Sequence, residues 1–341
     1  MIRRIYYASL YYMIDDLKRL YSVCFDDCKE YVDYFFKHKY SRNNTVIALS
    51  DNRIISMLFL ITKKISLGNS VISCPYIVGA CTHSDFRKQG IMRSLIYDTI
   101  EKLRTRGSSI SALYPFSHDF YRQFGFVTVS RMSGQEINSA SNQDMAYRKA
   151  TAEDADLLLS LYKKEVSQDI RLVRNRLNFI NKINEVNTTG QTAMFYYKGI
   201  LTGYAMYDEE EIIESVGHGF EAAEELRGRN YYQQDDKGEE YLMMRINNPY
   251  KLLAQLQYPV AEASVKISLT DSFYPDNSSV FELNIKDGKA KILPASNYEI
   301  SLSIEELTLL ATGAWQRENY TPPEILKELF PPKDILIYDK Y

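Results

Sequence analysis

The residues that most directly suggest chemistry lie between Ile77 and Ile96, where a buried strand leads through a basic turn into a helix. The turn contains Arg87, Lys88 and Gly90. Unpaired N–H groups and the positive dipole end at a helix start favour an anion, and glycine lets that anion approach the backbone. The pattern therefore predicts a turn that binds a pyrophosphate. The alternative is a solvated helix start that carries two surface bases.

The spacing of this turn argues against two common nucleotide sites. It does not contain the G-x-x-x-x-G-K-[ST] sequence of P-loop NTPases. It also does not contain the G-x-G-x-x-G sequence of dinucleotide-binding folds. The phosphate groups that we expect here therefore belong to another kind of ligand.

A second group of interest, Tyr121, follows about 30 residues later in the segment 111–126. A phenol with a pKa of about 10 is protonated at neutral pH and can serve as a general acid. The alternative is a tyrosine packed beside Phe120, Phe124 and Phe126 in a small aromatic core. We expect nearby His118 to be a surface residue rather than a proton shuttle.

These two segments resemble the GCN5-related N-acetyltransferases. Arg87-Lys-Gln-Gly90 is similar to the R-x-x-G-x-[GA] motif of that family, although Met92 stands where glycine or alanine is usual. The sequence FYRQFGF, which contains Tyr121, resembles the end of the family's closing strand and helix. The resemblance implies acetyl-CoA as co-substrate, no metal, and Tyr121 as the acid that protonates the departing thiolate. The residues that it implies for acetyl-CoA binding are Ala80, Cys81, Thr82, Arg87, Lys88, Gln89, Gly90, Ile91, Met92 and Phe116.

The layout of the whole chain resembles the Eis-type (enhanced intracellular survival) acetyltransferases. The segment 147–154 is similar to the start of their second unit, and the segments 265–277, 281–285 and 304–313 are similar to their sterol-carrier-like module. The resemblance implies an α/β (α+β) fold with tandem acetyltransferase folds and a C-terminal sterol-carrier-like α+β domain. The expected ranges are 1–140, 141–238 and 239–341. We expect the second unit to be a degenerate copy, because it lacks an R-x-x-G-x-[GA] turn.

The same resemblance implies how the acceptor is handled. The acceptor would be a primary amine of a cationic molecule, either an aminoglycoside or a lysine side chain. Asp26, Asp27 and Glu30 are candidates for its acidic contacts, and the α-carboxylate of Tyr341 is the candidate base. Members of the family form multimers, which implies a homo-oligomer. A non-catalytic protein that senses acetyl-CoA or carries a lipid is the alternative function.

Composition limits the other possibilities. The chain has 341 residues and a formal net charge of −3, without a lysine- or arginine-rich block, which argues against binding to nucleic acid. No apolar run approaches the roughly 18 residues of a membrane span. The 4 cysteines lack metal-site spacing and are too few for a disulfide scaffold, so we expect reduced thiols and a cytoplasmic location.

Local patterns predict the elements that would position these residues. Apolar spacing predicts one helix over 14–36, on which Cys24 and Cys28 would share a face. The turn Asp51-Asn-Arg predicts a hairpin, and the pattern from Gly90 to Arg106 predicts an amphipathic helix. Capping boxes are expected at 151–154 and 303–306.

Overall fold

The computed structural model describes residues 2–3, 13–138 and 144–338, and no helix in these ranges is long and apolar enough to cross a membrane. The first part of the chain combines helices with the strands of a mixed sheet. Its elements in chain order are β1 (Ile2–Arg3), α1 (Met13–Cys24), α2 (Lys29–His38), β2 (Thr45–Ser50), β3 (Arg53–Leu67), β4 (Ser70–Thr82), α3 (Ile91–Thr105), β5 (Ile110–Leu113), α4 (His118–Arg122) and β6 (Val127–Glu136).

The rest of the chain also contains both helices and strands. The middle elements are β7 (Met145–Lys149), α5 (Ala155–Glu165), β8 (Ile170–Arg171), α6 (Arg176–Val186), β9 (Gln191–Tyr197), β10 (Ile200–Tyr207), β11 (Ile212–Gly217) and β12 (Asn230–Gln234). The last elements are β13 (Glu239–Ile246), α7 (Pro249–Gln255), β14 (Glu262–Thr270), β15 (Ser279–Lys286), β16 (Lys289–Pro294), β17 (Ile300–Ser303), α8 (Ile304–Thr312), α9 (Glu324–Leu329) and β18 (Ile335–Leu336).

The largest sheet has the strand order β1-β2-β3-β4-β5-β13-β6-β12. Strand β13 lies between β5 and β6 and is antiparallel to both, while β4 and β5 are parallel. The sheet thus contains strands from all three domain ranges expected from the sequence. The bounds of those domains stay a prediction. Strands β12 and β13, which lie far from β6 in the chain, complete the sheet that carries the candidate site.

Three smaller sheets complete the described fold. Strands β11, β10, β9 and β7 form an antiparallel sheet in the middle of the chain. Strands β16, β15, β14 and β17 form another, in which β14 and β17 are parallel. Strands β18 and β8 pair in parallel, which ties the segment 335–336 to the middle of the chain.

Helix α3 packs one apolar face against the first sheet, as its sequence pattern predicts. The buried side chains of that face belong to a cluster with strands β2, β3 and β4. They recur every three or four residues, which is the spacing of one face of an α-helix. They are Ile91, Leu95, Ile96, Ile100 and Leu103.

The predicted hairpin is confirmed, but the single helix over 14–36 is wrong. Asp51 and Asn52 have φ values of 48° and 62°, as a tight turn between β2 and β3 requires. Helices α1 and α2 are separate, and Cys28 is the N-cap of α2, so Cys24 and Cys28 do not share a helix face. The break includes Asp27, whose carboxylate accepts a 2.7 Å hydrogen bond from the Tyr21 hydroxyl. Aspartate favours such positions over helix interiors because it bonds outside the helix.

Both predicted capping boxes are present. The Thr151 N–H donates to Asp154 Oδ2 at 2.9 Å, and the Ser303 N–H donates to Glu306 Oε2 at 2.7 Å. Helix α8 ends at Gly313, whose φ of 65° is the left-handed conformation common after helix ends. Local polar residues therefore fix where these helices begin and end.

A buried ion pair joins the first sheet to the last part of the chain. Arg245, in β13, and Asp271, after β14, both have fully buried side chains. Arg245 Nη2 donates to Asp271 Oδ1 at 3.0 Å and to Oδ2 at 2.8 Å. The carboxylate also accepts bonds from the backbone N–H groups of Phe273 and Tyr274 and from the Asn277 amide. Burial lowers the pKa of Arg245, and the charge of Asp271 opposes that shift.

Replacement of Asp271 by asparagine is expected to destabilise the protein, because it leaves a buried guanidinium without its counter-charge. Breaking such a pair costs about 3–5 kcal/mol. Denaturant unfolding monitored by circular dichroism measures the change.

Asp276→Asn is the matched control. Asp276 lies in the same loop, its side chain is 70% exposed, and it faces Arg104 at 3.9 Å. Loss of an exposed pair of this kind costs at most about 1 kcal/mol. Equal effects of the two substitutions would contradict the anchoring role of Asp271.

Candidate active site

Strand β4 is irregular at Gly79, and this irregularity shapes the candidate site. Met57 of β3 pairs with Cys81, whereas Phe59 pairs with Val78, so β4 has one more residue than β3 between these pairs. Gly79 has a φ of 58°, and a Cβ there would lie 2.9 Å from a ring carbon of Phe59. Glycine is therefore required at this bulge by both conformation and space.

Strands β4 and β5 pair over a very short length. Within the described chain their pairing is limited to Tyr76 with Ala112. Because the strands are parallel, both continue from this pair toward the same edge of the sheet. Apart from the Thr82 carbonyl, which Arg87 binds, backbone groups of the segment 77–82 on the β5 side have no ladder partner in the described chain and can hydrogen-bond to an extended ligand.

The basic turn follows β4 and runs directly into α3, as the sequence predicts. Arg87 Nε donates to the Thr82 carbonyl at 3.0 Å, which ties the turn to the end of β4. Lys88 and Gly90 have φ values of 60° and 74°, and Ile91 begins the helix. Apart from Gly90 and its immediate neighbours in the chain, no described atom lies within 4 Å of the point that a Cβ on Gly90 would occupy. The turn thus presents a helix start with open space and basic side chains, which fits a pyrophosphate.

The other residues expected to bind acetyl-CoA lie along the same path. Ala80, Thr82 and Met92 are half-buried and Cys81 is buried. Gln89 is exposed and donates from its amide to the Asp85 carbonyl at 3.2 Å. Phe116 is 75% exposed beyond β5. An exposed aromatic ring at the open end of a sheet can contact the apolar part of a ligand.

Tyr121 is buried on the α3 side of the first sheet. It is 4% exposed, and its ring lies 5.8 Å from that of Phe116 and 6.0 Å from that of Phe126. Burial raises the pKa of Tyr121. The phenol therefore stays protonated throughout the neutral range and can give a proton to a stronger base that forms beside it.

The expectation of a surface His118 is wrong, because the residue begins α4 under the edge of β13. Its side chain is 18% exposed, with Nδ1 4.0 Å from Glu240 Oε2. Burial lowers the pKa of His118, and its Nε2 atom is buried without a hydrogen-bond partner among the described residues. Glu240 also pairs with Arg122 of α4. Sequence reasoning missed Glu240 because it follows His118 by more than a hundred residues.

The three acidic candidates for acceptor binding lie on or beside the α1–α2 connection. Asp26, Asp27 and Glu30 are all exposed. Asp27 lines an open groove of about 390 Å³, whereas Asp26 and Glu30 do not. The groove has both signs of charge, with Asp15 and Asp33 beside Lys18, Arg19 and Lys29.

The Tyr341 carboxylate lies outside the described residues. The described part of the same segment, β18, runs parallel to β8. Leu172, just after β8, pairs antiparallel with Ile65 of β3. Strand β18 itself therefore runs antiparallel to β3, in the direction that leads along β3 from Ile65 toward Phe59, the residue that faces the bulge.

Two family models match parts of the chain. Residues 12–129 match an acetyltransferase (GNAT) domain, which covers β2 to β5, the basic turn and Tyr121. Residues 249–319 match a sterol carrier protein domain. No curated protein sequence matches the chain.

Solved structures resemble the chain over its full length. A conserved protein of unknown function from Enterococcus faecalis, described as a probable N-acyltransferase, has 14% identity and a TM-score of 0.82, with 100% of both chains covered. A GCN5-related N-acetyltransferase from Anabaena variabilis has 16% identity, a TM-score of 0.76 and the same coverage. Eis1 from Mycobacterium abscessus has 11% identity and a TM-score of 0.70, covering 99% of this chain and 100% of its own. At these identities the likeness concerns the fold.

The mixed α/β fold and the C-terminal sterol-carrier-like domain predicted from the sequence are confirmed. The likeness to Eis-type proteins is a likeness of structure. The chain is therefore an enzyme of the N-acetyltransferase type, with a GNAT acetyltransferase domain in residues 12–129 and a sterol carrier protein domain in residues 249–319.

Proposed function

We propose that this chain transfers the acetyl group of acetyl-CoA directly to a primary amine of a cationic acceptor, an aminoglycoside or a lysine side chain. The observation that carries the proposal is one apolar cluster that contains Ile77, Ile91 and Tyr121. The cluster packs the open end of β4, the start of α3 and the buried phenol together. In this proposal the three elements would supply a strand for the donor, an anion-binding helix start and an acid on one side of the sheet.

The basic turn would hold the pyrophosphate of the donor. Backbone N–H groups from Arg87 to Met92 and the dipole of α3 would supply most of this binding, because both favour an anion at a helix start. Lys88 adds charge, and Gly90 keeps the approach open. This contact orients the donor and leaves the chemical step to other groups.

The segment 79–82 would hold the pantetheine arm and the thioester. Its open backbone groups can bond an extended amide chain, and an N–H there can donate to the thioester oxygen as charge develops on it. Phe116 would cover the apolar side of the arm. Acetyl-CoA supplies an activated acetyl thioester, which a neutral amine can attack.

Tyr121 would protonate the departing thiolate. Its aromatic surroundings exclude water and keep the phenol neutral, so the proton is in place when the thiolate forms. The amine must lose a proton in the same reaction. The Tyr341 carboxylate is the proposed acceptor of that proton, supported by the family resemblance and by the direction in which β18 runs.

The acidic residues at the α1–α2 connection and in the first turn of α2 would attract the cationic acceptor. Asp27 lies on a groove wall, with Asp26 and Glu30 on the neighbouring surface. We also propose a cytoplasmic homo-oligomer, which the resemblance supports and light scattering would test.

Thiol release from acetyl-CoA, measured with a panel of aminoglycosides and lysine peptides, tests the proposed function. We expect acceptor-dependent release of CoA thiol and an acceptor mass increase of about 42 Da per acetyl group, the mass that acyl transfer to an amine adds. Binding of acetyl-CoA without release on any amine would favour the alternative, a sensor or lipid carrier. The fatty-acid content of the purified protein would then become the relevant measurement.

Tyr121→Phe is expected to lower kcat by about 10²–10⁴-fold, the usual contribution of a positioned general acid. KM for acetyl-CoA should change little, because the ring and its packing remain. Tyr97→Phe on α3 is the matched control, since Tyr97 lies on the outer side of that helix against Phe273 and Tyr274. Full activity of the Tyr121 variant would remove the acid assignment.

Extension of the chain by two residues after Tyr341 is expected to lower kcat, because it moves the terminal carboxylate away from the amine. The extended protein should keep its thermal midpoint and its KM for acetyl-CoA. An extended protein with undiminished kcat would rule out the carboxylate as the base.

A further inference from the structure

Two thiols face each other beside the donor-binding strand. Cys24 ends α1, Cys81 lies in β4, and each thiol shifts the pKa of the other. Both are free cysteines, and Cys81 is 8% exposed while Cys24 is half-buried. The sequence predicts that Cys24 shares a helix face with Cys28, but Cys28 is exposed at the start of α2. In the folded chain, the thiol that interacts with Cys24 is therefore Cys81.

The packing of α1 on β4 explains this contact. A ring carbon of Tyr21 lies 3.5 Å from the point that a Cβ on Gly79 would occupy. Cys24 lies about one turn further along α1, and Cys81 lies two residues further along β4. The next contact along the two elements therefore brings the thiols together. Tyr21 and Cys81 belong to one buried cluster, against which Cys24 packs.

Arg87 gives the two sulfur atoms different reactivity. Its guanidinium, held by the Thr82 carbonyl, carries a positive charge that acts on the Cys24 thiol. The hydrogen bond from Cys81 and the charge of Arg87 lower the pKa of Cys24 to about 7. The bond to Cys24 and burial raise the pKa of Cys81. Cys24 is therefore the nucleophilic and accessible member, with Cys81 beside it as a second thiol.

We propose that Cys24 and Cys81 form an oxidation site at which hydrogen peroxide, or another two-electron oxidant of that class, converts the two thiols into a disulfide. The Cys24 thiolate attacks one peroxide oxygen, the O–O bond breaks, and hydroxide leaves. Cys81 sulfur then attacks the Cys24 sulfur, the new S–O bond breaks, and the second oxygen leaves as water with the Cys81 proton. The hydroxide takes up the proton that Cys24 released, so two thiols and one peroxide give one disulfide and two waters.

The disulfide would join α1 covalently to the strand segment 79–82. Any effect of the disulfide on activity rests on the proposed function, in which the segment 79–82 holds the donor thioester. The bond is reversible by thiol reductants, as expected for a cytoplasmic disulfide that senses oxidation rather than stabilises the fold.

Mass spectrometry of the full chain after brief peroxide treatment tests the site. We expect a decrease of about 2 Da, the two hydrogens lost on forming a disulfide, and a linked pair of peptides that contain Cys24 and Cys81. Cys28→Ser is the control and should keep the link, since Cys28 is exposed and outside the pair. Cys24→Ser should lose the link, and Cys81→Ala should leave a sulfenic acid on Cys24 that dimedone traps.

Two outcomes on the unsubstituted protein would overturn the proposal. One is a link between Cys24 and Cys28, and the other is oxidation of Cys24 without any link. Both outcomes are read by mass spectrometry of the unsubstituted protein, so neither requires a variant that folds or any acetyl transfer. Failure of this mapping would leave the proposed enzyme activity untouched, whereas an acceptor panel without thiol release would leave the oxidation site untouched.

Discussion

Strand β13 is the constraint on which the arrangement of this protein depends. It lies between β5 and β6 in the first sheet, although some hundred residues of chain separate it from them. Its Arg245 is anchored by Asp271, and its Glu240 pairs with Arg122 beside the candidate acid. Two buried charges cost several kcal/mol to desolvate. The geometry of Asp271, whose carboxylate accepts bonds from backbone, amide and guanidinium donors, offsets that cost. One strand thereby joins the acetyltransferase domain to the sterol carrier protein domain.

The candidate site combines a pre-shaped backbone with few reactive side chains. Gly79 allows the bulge in β4, and the short pairing with β5 leaves backbone groups open at the same edge. Helix α3 adds a dipole whose field is fixed by the fold and needs no reorganisation when a ligand binds. Tyr121 packs among aromatic side chains, and its burial raises the pKa of the phenol, which suits the proposed role of an acid that keeps its proton until the thiolate forms.

Several parts of this site could be predicted from the sequence because they are local. The strand, the basic turn and the helix from Ile77 to Ile96 follow from adjacent residues, and Gly90 has the backbone conformation that its position suggested. Tyr121 was found for the same reason, as part of a short aromatic motif. His118 was misplaced because its burial comes from β13, and no residue near it in sequence indicates that strand. The single helix over 14–36 failed because apolar spacing continues through a break that Asp27 and Tyr21 stabilise by a side-chain bond.

Through a family resemblance the sequence indicated the class of fold and the acid candidate Tyr121. By itself it determined the basic turn at the start of α3, the β2–β3 hairpin and the helix caps. Each depends on contacts within about a dozen residues, where periodicity, glycine conformation and capping chemistry act directly. The tertiary structure alone decided that β13 enters the first sheet, that Glu240 faces His118, and that Cys24 meets Cys81 rather than Cys28. These pairings are set by which buried surfaces fit together, and many partners of similar polarity exist along the chain. Such contacts are therefore specified by packing of the whole molecule and not by any one segment.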